Sequence, residues 1–199
     1  MLKRLIYKRF NLIFLLTILT VLYSCKANEV ATNNKHTSDL NKLQMLIDKD
    51  AYYIDIEAVY PMNTAATQQV ANALFLSRTG NSASRIDVAG DGHFIHIKSD
   101  SVKGNLSFFG ERRLSGGHYG STNGGIVFDG LSKNYEKTIN KKKRKLEIKF
   151  TTNQKDEISE TYEIKIEIFP NNNVNVNIAS TFKSFINYTG TLRDDNISL

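Results

Sequence analysis

The sequence predicts a mainly β protein. It reads as an antiparallel meander of about eight or nine strands forming a barrel or a sandwich, with an N-terminal helix and a second short helix candidate. Three observations lead there. Long stretches alternate apolar and polar residues with period two, the pattern of strands with one buried and one wet face. Turn-forming residues separate those stretches at short intervals. The 199 residues, 41% hydrophobic and 23% charged, have the size and composition of one globular domain, which excludes both a disordered chain and a polytopic membrane protein. A single cysteine excludes a disulfide framework and a cysteine-based zinc site.

In chain order, the first feature is an address. Lys3, Arg4, Lys8 and Arg9 form a basic start, and Leu12 to Tyr23 is an apolar run broken only by two threonines. The run is short for a spanning helix, which needs about 18 to 20 apolar residues. It fits the hydrophobic core of a secretory signal over residues 1–24. Leu22-Tyr23-Ser24-Cys25 then resembles the lipobox of bacterial lipoproteins, in which the thiol is joined to diacylglycerol and the signal is cut before the cysteine. Tyr23 departs from the small or branched residue usual there. The competing reading is an uncleaved anchor with a chance cysteine, but Cys25 is the one cysteine of the chain and stands at the cleavage point. Lipidation at Cys25 and a membrane partner are therefore expected. Residues 25–37 are polar and aperiodic and read as a tether. A flexible coil of that length spans on the order of 20 Å.

The domain itself is expected over residues 38–199. Thr37 or Ser38 can cap a helix with Asp39 in its first turn. Leu40, Leu43, Leu46 and Ile47 recur at helical spacing, so a helix is predicted over about residues 39–49, covering a sheet edge or an open end. A second is predicted after Thr64, with Val70, Leu74 and Phe75 on one side, ending before Gly80. Gly90-Asp91-Gly92 lies between two strand-like runs and predicts a hairpin. Ser99-Asp100 and Pro170-Asn171-Asn172-Asn173 predict two more turns. Leu146, Ile148 and Phe150, then Tyr162, Ile164, Ile166 and Ile168, then Val174, Val176 and Ile178, are the inward positions of three strands. Glu163 and Glu167 fall on the wet faces.

By this point the residues resemble a family. From about Asp39 to Arg193 the chain is similar to the uncharacterised bacterial envelope lipoproteins grouped as domain of unknown function 4251. The family's Leu-Pro-Tyr-Phe-Gly motif follows a turn containing Asp. Here the turn is Ser99-Asp100-Ser101-Val102, and the motif stands as Leu106-Ser107-Phe108-Phe109-Gly110, followed by Glu111-Arg112. Gly116-Gly117-His118-Tyr119-Gly120, Gly125-Ile126-Val127-Phe128 and Asn134-Tyr135 come next, and Ser180 and Ile186-x-Tyr188-x-Gly190 close the match. Ser107 and Phe108 replace the proline and tyrosine, and Lys183 stands where arginine is common. The resemblance implies an envelope lipoprotein, with no known activity and no catalytic residues to carry over.

Chemistry-bearing residues are sparse. His36 lies in the tether. His93 and His96 are three apart on a strand and so face opposite sides of it, which prevents a shared metal. His93 shares the face of Ile95 and Ile97 and is expected to be packed and satisfied. His118 can meet Glu111 or Asp129, but no second histidine is near in sequence. No metal and no cofactor are expected. The chain has no Gly-x-Ser-x-Gly elbow and no phosphate loop, and no pair of carboxylates stands out.

The least ordinary stretch is the loop from Gly110 to Gly125, which holds six of the twelve glycines. It is either a connection between strands or a binding loop with Phe108, Arg112, His118 and Tyr119 as contacts, where Arg112 and Arg113 can hold an anionic group. Phe109, at the end of the preceding strand, is expected to be core if it is not a contact. Asp100-Ser101-Val102 resembles a three-residue O-glycosylation site, with Ser101 the acceptor.

The net charge of +6 is concentrated. Four bases lie in residues 1–24, where there is no acid, and five form the run Lys141 to Lys145. That run reads as a solvated hairpin end, or as attraction to anionic lipid or polysaccharide. Nucleic acid is not an expected partner of an exported protein. Three readings remain open: a non-enzymatic binding or structural lipoprotein of the outer membrane, on its periplasmic or surface face, with an envelope protein or polysaccharide as partner; a carrier of a small apolar ligand in a barrel; and an envelope hydrolase.

Overall fold

The alternation is realised along most of the described residues. The computed structural model describes residues 35–62, 82, 84–112, 124–156 and 159–193, together with Phe14 and Gln69. Ten strands follow one another: β1 (Ala51–Pro61), β2 (Ile86–Asp87), β3 (Phe94–Lys98), β4 (Ser101–Leu106), β5 (Ile126–Leu131), β6 (Lys133–Asn140), β7 (Lys145–Asn153), β8 (Thr161–Ile168), β9 (Asn173–Ser180) and β10 (Ile186–Arg193). They form one antiparallel sheet in the order β5-β4-β3-β1-β10-β9-β8-β7-β6, with β2 paired to β1 beside β3.

The sheet curls into a nearly closed barrel because β5 and β6, its two outer strands, are consecutive in the chain and separated only by Ser132. The closing contacts are few. Lys155 N–H donates to the Val127 carbonyl at 2.8 Å, Val127 N–H donates to Gln154 Oε1 at 3.1 Å, and the Phe128 and Phe150 rings meet edge to face at 6.3 Å. Inward positions of every long strand but β6 are buried, among them Ile54, Ile95, Val102, Phe128, Ile148, Ile164, Val176 and Tyr188; β6 has no buried residue.

The chain divides into two compact units at Lys42/Leu43. Residues 35–47 are helical. In the first unit the described residues are 35–42. In the second, Leu43 and Leu46 of the last helical turn are buried and the Leu46 carbonyl accepts the Tyr52 hydroxyl at 2.6 Å. The helix thus begins at or before residue 35, so Lys35, His36 and Thr37 are not part of a tether. Thr37 and Ser38 lie inside it, since such residues cost only a few tenths of a kcal/mol in a helix interior and need not cap. The second predicted helix lies outside the described residues, apart from Gln69, which is helical.

The turn at Gly90-Asp91-Gly92 is a correction. It does not make a hairpin: β2 and β3 both run antiparallel to β1 and are collinear along its edge. Val88 N–H donates to the Glu57 carbonyl and Ile56 N–H to the His93 carbonyl, both at 2.9 Å, so the chain leaves β1 only between those points. Gly90 and Gly92, at φ 85° and 78°, allow the excursion. The Ser99-Asp100 and Pro170–Asn173 turns do join β3 to β4 and β8 to β9, with Ser99 and Asn172 at positive φ.

On its other side β1 carries a bulge. Ile56 pairs with Gly190 and Ala58 with Thr189, leaving Glu57 as an extra residue. The extra residue changes the phase of β1, so that Ile56 and Val59 both point inward. It also presses the backbone toward β10. A Cβ on Gly190 would collide with the Asp55 carbonyl oxygen and the Ile56 backbone. Gly190→Ala is therefore expected to lower stability by about 1–3 kcal/mol through overpacking. Gly130→Ala, in open space on β5, should change it by less than about 0.5 kcal/mol. Equal denaturant midpoints for the two variants would refute this account of the bulge.

Candidate functional site

Polar groups gather at three places in the barrel. The first is buried at the end where β7, β8 and β9 meet the segment 181–185. Lys183 is 3% exposed and Glu160 1%. The Lys183 ammonium donates to Glu160 Oε2 at 2.6 Å and to the Tyr162 hydroxyl at 3.0 Å, and it sits over the Phe108 and Tyr162 rings. Tyr162 donates in turn to Gln154 Oε1, and Ser180 donates to Glu160 Oε1 at 2.8 Å. Ser180 Oγ also accepts the Phe182 and Lys183 N–H groups. Burial, and then the neighbouring Glu160 carboxylate, push the Tyr162 hydroxyl far above its ordinary pKa, with the Arg112 charge opposing the rise. Each group is engaged with the others, so the cluster is a clamp. It holds the start of the Gly-rich segment: Lys183 and Arg112 form a β-bridge, Ser184 N–H donates to the Glu111 carbonyl at 2.8 Å, and Glu111 N–H donates to Ser184 Oγ at 3.1 Å.

The second place joins His93 to the motif residue Ser107, whose Oγ lies 2.7 Å from His93 Nε2. The Ser107 carbonyl accepts the Tyr188 hydroxyl at 2.9 Å. His93 faces inward as expected, but it is only half satisfied: Nδ1 is buried with no hydrogen-bond partner among the described residues. A buried bare acceptor costs less than a buried unpaired N–H. That favours the tautomer in which Nε2–H donates to Ser107, leaving the serine without a base.

The third place is on the outer face. A groove of about 530 Å³ runs over β8, β9 and β10, lined chiefly by Glu163, Lys165, Asn175, Asn177, Asn187 and Phe185. Asn177 is paired with Lys165 on one side and Asn187 on the other, and Asn175 with Glu167 and Thr189. At the margin of the groove, the like charges Glu147 and Glu167 stand opposite each other across β7 and β8. Lys145 bridges them at 3.1 and 2.5 Å, and Lys165 lies 2.8 Å from Glu167. Burial alone would raise both carboxyls. The hydrogen bond from Lys145, joined by Asn140 for Glu147 and by Lys165 for Glu167, holds both below the ordinary range. Burial alone would also lower the Lys145 ammonium, but the Glu167 and Glu147 carboxylates hold it above its usual value.

Of the predicted contact residues, the two that the structure describes, Phe108 and Arg112, both lie against Lys183. Phe108 is half-buried under Lys183, and Arg112 is exposed beside the clamp. His118, Tyr119 and Arg113 lie outside the described residues, as does Cys25. Ser101 is exposed at the start of β4, directly after the Ser99-Asp100 turn. Phe109 is 36% exposed and is not core, because β4 ends at Leu106 and the chain leaves the sheet there; Leu106, at 1%, is the last core residue of that strand. In the basic run, residues 141–144 form the β6–β7 turn, but Lys145 is buried in the ionic quartet. Among the described residues no group of three or more His, Cys, Asp or Glu side chains is placed to hold a metal ion.

Sequence reasoning missed the meeting of Glu160, Gln154 and Lys183, which depends on how the ends of β7, β8 and β9 pair: Gln154 N–H donates to the Glu160 carbonyl, and Thr181 N–H to the Thr161 carbonyl. It also passed over a readable signal in Asn173, Asn175 and Asn177. Asparagine is depleted in strands, and three at alternate positions mark a face kept polar for a reason other than sheet stability.

Two outcomes follow from the charge clusters. Lys183→Met should destabilise by about 3–5 kcal/mol, since it leaves the Glu160 charge buried without its partner. The double variant Glu160→Gln/Lys183→Met should be more stable than Lys183→Met alone; an additive loss would refute the clamp. The quartet acts through pH. Because the folded-state pKa values of Glu147 and Glu167 are depressed, their contribution is present above about pH 4.3, the ordinary glutamate value, and is lost as pH falls through the folded values. The urea midpoint should therefore fall below that pH, and Glu167→Gln should flatten the fall. An unchanged acid limb in Glu167→Gln would place the acid sensitivity elsewhere.

Comparison with known proteins gives a family and nothing nearer. No curated protein and no solved structure matches the chain significantly. Residues 34–192, which take in every strand but the last residue of β10, match the model of the Domain of unknown function (DUF4251), and the chain belongs to that family.

Proposed function

We propose that the protein is a membrane-anchored lipoprotein of the cell envelope, held through Cys25, and that it acts as a non-enzymatic binding module. The anchor reading rests on the apolar run ending at Ser24-Cys25 and on the family resemblance. The binding reading rests on one observation: the inward side chains of every long strand but β6 are buried, whereas the groove opens on the outer face of β8–β10. A carrier needs space along the barrel axis, and here Tyr52, Phe128, Phe150, Tyr162 and Tyr188 fill it. A hydrolase needs a free nucleophile with a base, and the hydroxyls nearest to that pattern, Ser180 and Ser107, are tied into structural bonds. The partner is an envelope polysaccharide or protein, met on the outer face.

The anchor is tested by Cys25→Ala in the full chain. The wild-type protein should partition into detergent and lack residues 1–24, and the variant should be unprocessed or soluble. A mature wild-type protein that keeps its N-terminus would overturn the lipoprotein reading.

A further inference from the structure

We infer that the outer groove over β8–β10 is a binding site for a neutral glycan. This rests on the binding-module reading and names the class of ligand. The chemistry of the lining excludes the other classes in turn. Strand addition is ruled out because β8, β9 and β10 are inner strands, each paired on both sides, so the groove offers side chains and no free ladder. An apolar ligand would strip water from the carboxamides of Asn175, Asn177 and Asn187 and the hydroxyl of Thr189 without replacing their hydrogen bonds. A polyanion meets Glu163 and Glu167, while the Lys165 ammonium is already paired with Glu167.

What remains is an uncharged ligand rich in hydroxyls. An asparagine carboxamide carries two donors and an acceptor, the complement of a hydroxyl that donates and accepts. The three carboxamides are set out by the sheet at its own spacing, roughly 4.8 Å between strands and 6.7 Å between alternate residues, which suits hydroxyls on alternate carbons of a pyranose or on successive sugars rather than adjacent ones. Phe185 is 37% exposed and also lines the groove. Its ring face carries negative charge density and suits the weakly positive C–H face of a sugar. A further sign is Asn187 Oδ1, a buried acceptor in a groove-lining side chain with no hydrogen-bond partner among the described residues. Buried polar atoms are almost always satisfied; rotation of this carboxamide toward the groove would present the acceptor to a bound hydroxyl.

The test uses the full chain, purified in detergent, against immobilised tetra- to hexasaccharides of glucose, mannose, galactose and N-acetylglucosamine, with heparin as the polyanionic comparison. At least one neutral series should bind. Asn177→Ala and Phe185→Ala should each weaken it at least tenfold while the melting temperature stays within a few degrees, since both side chains lie on the outer face. Failure of every neutral series, preference for heparin, or binding unchanged in both variants would overturn the inference. The binding-module reading fails separately: it falls if no saccharide binds and the wild type co-purifies nothing from membranes beyond what an unrelated detergent-purified lipoprotein does, whereas material retained equally by wild type and both variants would place binding away from the groove and reject the inference. Loss of a co-purifying protein in the variants, without saccharide binding, would keep the groove as a site and reject the glycan.

Discussion

The pairing of β1 with β10 is the constraint on which the barrel depends. These strands come from opposite ends of the domain and lie at the middle of the sheet order, so the strand ladder that joins the hairpin series β3-β4-β5 to the meander β6 to β10 runs through them. Asp55 and Arg193, 138 residues apart, form an ion pair across the junction, and Thr191 donates to Glu57 at 2.7 Å. The bulge at Glu57 bends β1 where it also receives β2 and β3 on its other edge, so one irregular residue sets the twist on both sides. Gly190 is the matching element: the backbone approach that the bulge imposes leaves no room for a side chain. Long-range closure of this kind must form before most contacts reward it, which makes the junction the costly step in ordering the sheet.

Closure at the other seam is weaker and differently built. β5 and β6 are nearly one continuous strand, bent at Ser132, whose N–H and hydroxyl are both tied to the Asp100 carbonyl at 2.7 and 2.9 Å. The bend carries the chain from one outer strand of the sheet to the other, so proximity there comes from connectivity and needs few hydrogen bonds. Gln154 supplies one of them through its side chain, and the same oxygen accepts the Tyr162 hydroxyl. The seam and the Lys183–Glu160 clamp therefore share a residue. Breaking the clamp would loosen both the closure and the anchoring of Glu111 and Arg112.

What could be read in the sequence was what is local. Period-two alternation placed β7, β8 and β9 and their inward faces, because each residue's side is fixed by its neighbour. The Ser99-Asp100 and Pro170–Asn173 turns were legible for the same reason. The Gly90–Gly92 turn was misread because glycines at positive φ serve an excursion from a strand as well as a hairpin, and only pairing partners separate the two. The core alternative for Phe109 failed because strand length past Leu106 is decided by where β5 stops pairing, not by the motif itself. Lys145 looked like one base among five, yet it is buried because two carboxylates from β7 and β8 face each other and require a cation between them. None of these three outcomes is encoded within a short window of sequence. The candidate groove was half legible: its asparagines are visible as an anomaly against strand propensity, but that they meet Asn187 and Phe185 is a matter of register.

That anomaly follows from how the stabilising interactions are divided between the two faces. The inner face of β8–β10 is mostly Ile, Val, Tyr and Leu, broken by Gly190 and with no exposed position, and burying such an apolar side chain contributes about 1.5–3 kcal/mol. Relative to that, the difference between asparagine and a better strand former on the wet face spans only about 1 kcal/mol per residue. The inner face and the two closures hold the strands in register, so the outer face is released from any need to stabilise the sheet. It can carry residues chosen for their hydrogen-bonding groups, spaced by a rigid lattice that a loop could not supply. The proposed binding surface on the outside of a filled barrel is consistent with that division: the interior fixes the geometry, and the exterior is left for hydrogen-bonding groups.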